Sequence, residues 1–220
     1  MEARAPMFTT LVWFLLLFLS ILVAFSAHEY AHGRMAYWLG DPTPKYEGRL
    51  TLNPLLHLDL VGAVVLFFSL ATTGGRVVVG WGKPVQFNSD ALRDPIRDGA
   101  LIAFAGPGAN LVLAILAGLP VKLGLLQALP LAEDALTILT AVNIALFIFN
   151  LIPFPPLDGW KILQAFMPRE FAWEMKRFET RVGMIPLLCL MGIIFFFGTY
   201  ILGPPYAFLM EMLAGRMPLR

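Results

Sequence analysis

The sequence predicts an all-α polytopic membrane protein with four to five transmembrane helices plus a re-entrant or short β segment. Three observations predict this class. Of its 220 residues, 58% are apolar and 14% are charged, against about 45–50% and about 25% in soluble domains. The apolar residues form long runs between polar loops. The net charge is only +1, so the composition excludes disorder and gives no nucleic-acid-binding surface.

The first apolar run, residues 8–27, predicts a membrane helix that continues as helix-compatible sequence to about Leu39. Ala24 and Ser26 offer the small residues of a signal-peptide cleavage site. However, a run of about 20 residues is long for the apolar region of a signal peptide and suits a bilayer span. Because helical sequence also continues past the small residues, we expect a retained helix.

The next segments are less regular. A shorter apolar run, residues 55–72, contains His57 and Asp59 and could either span the membrane or re-enter it. The valines and glycines of residues 74–85 predict extended chain or a short hairpin. In this part of the chain, residues 77–79 or 82–87 could receive a substrate chain by strand addition, although a plain connecting loop is at least as good an interpretation.

Three further apolar segments, residues 100–119, 135–152 and 184–202, predict the remaining spanning helices. Three prolines between residues 153 and 156 break the second of them. Residues 169–181 are charged at about every second or third position, which predicts a solvated or interfacial helix. We expect one integral-membrane domain over residues 1–220.

The segment His28-Glu29-Tyr30-Ala31-His32 carries the clearest chemical signal. A spacing of four places both imidazoles on one helix face, where they can bind one zinc ion, and Glu29 lies beside them to act on water. Histidines and carboxylates at membrane depth are costly and therefore indicate a functional site. The alternative is a pair of core histidines satisfied by neighbouring helices.

Catalytic zinc takes three protein ligands and keeps one position open. His57 and several carboxylates are candidates for the third ligand. Asp158 follows the proline-broken segment, and irregular backbone at membrane depth requires burial in protein or a wet cavity. From the residues alone, Asp158 could equally be a ligand or the N-cap of the helix from Trp160. For His57, we favour a hydrogen bond to a backbone carbonyl at a helix start, with Asn53-Pro54 as the turn before it.

Residues 28–32 together with residues 149–159, FNLIPFPPLDG, resemble the site-2 protease family of intramembrane zinc metalloproteases, peptidase family M50. Residues 106–110, GPGAN, are similar to a segment of its compact prokaryotic branch without PDZ or CBS domains. The resemblance implies one Zn²⁺ per chain held by His28, His32 and Asp158, with Glu29 as general base. It also implies that Asn150 holds the substrate backbone or oxyanion and that Asn110 supports the site.

The resemblance further implies a multi-pass protein of the prokaryotic plasma membrane that cleaves transmembrane protein substrates within the lipid bilayer. It implies that the helix of residues 28–32 and the Asp158-Gly159 segment run in the same direction. The distribution of Lys and Arg slightly favours a re-entrant residue 55–85 segment, an outside N-terminus and a zinc site nearer the cytoplasm. The alternative function is a non-catalytic zinc-binding membrane protein or a transporter. The sequence does not indicate the oligomeric state.

Overall fold

The computed structural model describes residues 6–73, 80–183 and 185–215. These residues are largely helical, with a short 3₁₀ turn at Ser89–Ala91. The α-helices are α1 (Pro6–Trp38), α2 (Thr43–Tyr46), α3 (Pro54–His57), α4 (Leu60–Thr73), α5 (Arg97–Lys122), α6 (Pro130–Asn150), α7 (Asp158–Gln164), α8 (Arg169–Val182), α9 (Ile185–Ile201) and α10 (Gly203–Ala214).

Among the described residues, three helices are long and apolar enough to cross a membrane: α1, α5 and α6. Helix α4 has 14 residues, which gives about 21 Å against the roughly 30 Å of a bilayer core. Helix α9 has 17 residues and reaches about 25 Å. The mostly helical membrane architecture is therefore confirmed, whereas the count of four to five spans stays a prediction.

Helix α5 packs against α1. The Ile102 carbonyl near its start lies beside His32, and Asn110, two turns later, bonds to the Ala24 carbonyl. Rising residue numbers in α5 thus meet falling residue numbers in α1. The two helices are antiparallel.

The same relation holds between α5 and α6. Asn110 bonds to Asn143, and Gly118 packs against Thr140, which lies earlier in α6. Because α5 runs against both neighbours, α1 and α6 run in the same direction. The chain that leaves the end of α6 therefore emerges on the same side as the histidine-bearing end of α1.

The end of α3 is joined by backbone contacts to the chain at residues 82 and 83. Leu58 and Gly82 form an antiparallel bridge, and the Lys83 amide donates to the His57 carbonyl at 2.8 Å. On its return, the chain packs against the first half of α4, at Gly62. The chain at the end of α3 and the chain at residues 80–83 therefore lie side by side, and we call the part of the chain between them the α4 excursion. Residues 77–79, one predicted strand, lie outside the described residues, and residues 82–87 form no strand beyond that single bridge.

The proline-rich break after α6 folds α7 back against the helix end. A Cβ atom at Gly159 would overlap the carbonyl groups of Leu151 and Ile152, so only glycine permits this close approach. Helix α7 then packs against α5. The following helix α8 buries Ala172 and Met175 and exposes most of its charged residues, as predicted for a solvated or interfacial helix.

Candidate metal centre

Three side chains from two distant parts of the chain converge at the end of the α1–α5–α6 bundle. The Asp158 Oδ2 atom lies 3.2 Å from the Nε2 atoms of both His28 and His32. The two Nε2 atoms are 2.9 Å apart. The side chains are only 7 to 12% exposed. Among the described residues, these form the group of histidine, cysteine and carboxylate side chains suited to one metal ion.

The partners of the other ring nitrogens define the state of both imidazoles. His28 Nδ1 lies 2.7 Å from Asn110 Oδ1, since the Asn110 amide nitrogen faces the Ala24 carbonyl. His32 Nδ1 lies 2.7 Å from the Ile102 carbonyl. Carbonyl oxygens only accept hydrogen bonds, so each Nδ1 carries a hydrogen and donates it. In the neutral rings, both Nε2 atoms therefore present lone pairs to the same point.

This donor set fits a divalent cation. Two lone pairs and a carboxylate oxygen facing one another in a buried site repel unless a positive charge lies between them. Tetrahedral zinc with ligands at about 2.0–2.1 Å would separate its ligand atoms by about 3.3 Å. The observed separations are 2.9 to 3.2 Å. Two imidazole nitrogens and one carboxylate are also a known ligand set of catalytic zinc.

Gly106 of α5 creates the space for the imidazoles. A Cβ atom at this position would overlap the His32 ring and come within 2.7 Å of His28 Cε1. Any other residue would force α5 away from α1. The glycine therefore allows the backbone of α5 to lie directly against the ligand pair.

Glu29 lies beside the cluster and is 6% exposed. Its Oε2 atom accepts a hydrogen bond of 2.8 Å from the backbone amide of Val85, in the segment that returns from the α4 excursion. Asp41 fixes the same segment further along, because its Oδ2 accepts from the Asn88 amide at 2.6 Å. The returning segment is thus attached at Val85 and at Asn88, on either side of Phe87, which lines the cavity at the cluster.

A cavity of about 190 Å³ connects these groups. Asn150 lines it and donates one amide hydrogen to the Leu146 carbonyl of its own helix at 3.0 Å. Lys161 also lines the cavity, and its ammonium group lies 3.9 Å from Glu179 on α8. The cavity therefore brings together Glu29, Asn150 and the three-residue cluster.

The structure bears on two alternatives that the sequence left open. The helix-cap alternative for Asp158 does not apply, because Asp158 is the first residue of α7 and the N-cap of that helix is Leu157, which makes no side-chain cap bond. His57 is fully buried, and its Nε2 donates to the Thr51 carbonyl at 2.8 Å, as favoured from the sequence. Asn53 is the N-cap of α3, which agrees with the prediction that the Asn53-Pro54 turn starts a helix.

Sequence reasoning missed three residues that bear on the site: Asn143, Gly106 and Lys161. Asn143 is an amide within the apolar run of α6, and such a polar residue at membrane depth is itself a detectable signal. Gly106 was identified only as part of a resembling segment. Nothing in the sequence indicated that the turn of α7 would direct Lys161 into the cavity.

Comparison with known proteins identifies the family of this chain. The family model of "Peptidase family M50" matches residues 127–193, which include Asn150 and Asp158. A Bacillus subtilis (strain 168) protein named "Putative zinc metalloprotease YwhC" is 34% identical over 195 residues, covering 86% of this chain and 84% of the relative.

The chain is also similar to mycobacterial proteins named "Putative zinc metalloprotease Rip2". That of Mycolicibacterium smegmatis is 29% identical over 156 residues, 69% of this chain and 57% of the relative. That of Mycobacterium tuberculosis (strain ATCC 25618 / H37Rv) is 29% identical over 148 residues, 65% of this chain and 54% of the relative. The chain therefore spans less than two thirds of these longer relatives. No solved structure matches. The identity to the Bacillus relative extends over most of both chains, and the chain therefore belongs to peptidase family M50, the site-2 protease family of zinc metalloproteases.

Proposed function

We propose that this metalloendopeptidase hydrolyses peptide bonds of membrane-embedded or membrane-proximal polypeptides, with Glu29 as general base. One observation carries the proposal. Two imidazole lone pairs and a carboxylate oxygen converge within 3.2 Å of one another, and the Glu29 carboxylate borders the same cavity. A general base must lie within reach of the proton that it removes, and this cavity provides that proximity.

His28, His32 and Asp158 would hold the Zn²⁺ ion, one per chain. When bound, zinc supplies Lewis acidity that lowers the pKa of water to about 7 and polarises the peptide carbonyl. The chain contributes a donor set held in place before binding. The Nδ1 hydrogen bonds to Asn110 and Ile102 keep the Nε2 lone pairs directed at the site.

Glu29 would accept the proton of the attacking water and pass it to the leaving amine. Its Oε2 atom is already occupied by the Val85 amide. That bond fixes the carboxylate and leaves Oε1 as the oxygen for proton transfer.

Asn150 would bind the substrate backbone or the oxyanion. An asparagine amide has two N–H donors and one carbonyl acceptor. One donor is committed to the Leu146 carbonyl. The remaining donor and the acceptor are available to a peptide bond that enters the cavity.

Several features of the setting belong to the same proposal. A helical substrate hides its carbonyl groups in intrahelical hydrogen bonds, so it must unwind locally before attack. We further propose one integral-membrane domain over residues 1–220 in the prokaryotic plasma membrane, with four spans if either α4 or α9 is added to the three long helices and five if both are. The re-entrant topology would put the zinc site nearer the cytoplasm, and the antiparallel bridge between Leu58 and Gly82 supports it.

The test is Glu29→Gln in the full-length chain in detergent or vesicles, with a transmembrane model substrate. Amide in place of carboxylate removes the base but preserves size and the acceptor for Val85. We expect cleavage to fall by about 10²–10⁴-fold, while zinc content, measured by elemental analysis, stays at one per chain. Glu47→Gln, at an exposed position, is the matched control and keeps full activity.

Undiminished cleavage by Glu29→Gln would contradict the proposed base. A wild-type chain that binds zinc but cleaves no substrate would favour the alternative, a non-catalytic zinc-binding protein or transporter. A transporter needs carboxylates and histidines along a path through several helices. In α5 and α6 the charged residues lie near the helix ends, which favours the enzyme.

A further inference from the structure

Two asparagines join the three long helices below the metal centre. Asn110 of α5 and Asn143 of α6 are both fully buried. Asn110 Nδ2 donates to Asn143 Oδ1 at 2.9 Å and to the Ala24 carbonyl of α1 at 3.0 Å. Burying an amide side chain among apolar helices costs free energy unless its donors and acceptor are hydrogen-bonded. Two such side chains bonded to each other next to a metal centre therefore suggest a role at that centre.

The hydrogen bonds of Asn143 fix its own orientation. Its Nδ2 donates to the Leu139 carbonyl of the same helix at 2.8 Å. Because that carbonyl can only accept, the amide nitrogen of Asn143 must face Leu139 and its oxygen must face Asn110. The oxygen of Asn143 then demands the amide nitrogen of Asn110, not its oxygen.

Asn110 is thereby oriented as well. With Nδ2 held by Asn143 and Ala24, its Oδ1 is left to face His28 Nδ1 at 2.7 Å. If the Asn110 amide reversed, its nitrogen would face Nδ1, and the ring proton of His28 would move to Nε2. The lone pair directed at the metal position would then be lost.

We propose that Asn143 is a positioning residue, which acts through Asn110 to keep His28 in the tautomer that binds the metal ion. The inference rests on the metal site of the proposed function and extends it to a residue without direct contact to the cluster. The Ala24 carbonyl also favours the same Asn110 orientation, so loss of Asn143 weakens metal binding and does not abolish it.

A purely structural role, in which Asn143 only holds α5 and α6 together, makes a different prediction. Thr140 is equally buried one turn earlier in α6, and its hydroxyl bonds to the Leu136 carbonyl of its own helix. Thr140→Val therefore removes a buried polar group of α6 that has no bond to the asparagine pair. It is the matched control for Asn143→Leu.

The experiment measures zinc affinity of the full-length chain in detergent by competition with a chromophoric chelator. It also measures thermal unfolding of the metal-free chain. Asn143→Leu removes the acceptor for Asn110, and we expect zinc affinity to fall about tenfold, at the lower end of the effect of outer-shell partners. Thr140→Val keeps the wild-type affinity. If the leucine variant does not fold, Asn143→Ala takes its place.

Asn143→Asp separates positioning from packing. Aspartate keeps an acceptor for Asn110 but loses the donor to Leu139, so the fold is destabilised while zinc affinity stays at or above that of the wild type. Affinity that follows stability across all variants would overturn the proposal, as would wild-type affinity in Asn143→Leu. If the wild-type chain itself bound no zinc, the metal site would fail together with this inference. Wild-type affinity in Asn143→Leu would refute the inference alone.

Discussion

Two acidic side chains of this protein meet basic partners at nearly the same distance in opposite surroundings. Asp158 lies 3.2 Å from the Nε2 atoms of His28 and His32, with all three side chains at most 12% exposed. Asp94 lies 3.3 Å from the Arg169 guanidinium, whose side chain is 81% exposed. Both groups border a cavity, but of the two only the first converges on one buried point.

The difference shows that distance alone says little about what a contact between a carboxylate and a basic side chain does. In water, charge pairs are screened and cost side-chain entropy, so exposed pairs contribute about 0–1 kcal/mol. In a buried site, desolvation makes uncompensated acceptors costly, so the cluster gains most from a bound cation. The buried group is thus suited to hold a metal, and the exposed pair only links α8 to the residues before α5.

The largest expected effect comes from breaking the buried group. Asp158→Ala leaves two imidazoles without the third ligand, so we expect zinc content to fall from about one per chain to less than about a tenth, together with loss of cleavage. Elemental analysis of the purified chain measures this. Asp94→Ala is the control at the exposed pair and retains its zinc. Full zinc content in Asp158→Ala would refute the assigned ligand.

A methyl group at Gly106 tests the geometry of the cluster without removing a ligand. Gly106→Ala would push α5 from the rings of His28 and His32. We expect destabilisation of about 1–3 kcal/mol from overpacking, measured by thermal unfolding, and weaker zinc binding. In Gly108→Ala the added Cβ atom meets Phe104 at an ordinary 3.6 Å, and this variant keeps wild-type affinity. Equal behaviour of the two variants would contradict the close approach of α5.

The smallest effect is expected at the exposed pair. Arg169→Ala should lower the free energy of unfolding by about 0–1 kcal/mol, and added salt should reduce the difference further. Hydrogen bonds from the backbone amide of Arg97, from that of Ile96 and from the Arg169 guanidinium lower the pKa of the Asp94 carboxyl. The stabilisation that ionised Asp94 gives the folded state is therefore present above the unfolded-state pKa. It is lost as pH falls through the lowered folded-state pKa.

Unfolding of the Arg169→Ala and Asp94→Asn variants between about pH 6 and pH 3 measures this dependence. Asp94→Asn should flatten that part of the acid dependence. A loss of zinc in either variant would mean that the two regions are coupled and would break the comparison.

Much of the candidate site could be predicted from local pattern. The spacing of His28 and His32 is fixed by helix periodicity, which places both rings on one face whatever surrounds them. Glu29 follows from the same helix. The apolar runs of α1, α5 and α6 were equally readable, because a bilayer imposes both length and composition on a spanning helix.

Other features depended on contacts between distant residues. From the residues alone, Asp158 was as plausible a helix cap as a ligand, and the family resemblance, not physics, favoured the ligand. The span count was less predictable, because an apolar run of intermediate length suits a short buried helix as well as a membrane span. That the chain before α4 lies beside Gly82 became clear only from the Leu58–Gly82 bridge.

The sequence by itself determined that the chain is a helical membrane protein, since this follows from its composition. It also determined that His28 and His32 lie one helical turn apart with Glu29 beside them, since this follows from helix periodicity. Only the tertiary structure decided which carboxylate lies beside them, that Gly106 packs against their rings, and that Asn143 bonds to Asn110, the partner of His28. Those residues meet because antiparallel packing of α5 against both neighbours brings α1 and α6 into parallel alignment. Such long-range alignment depends on how whole helices pack, and no local segment encodes it.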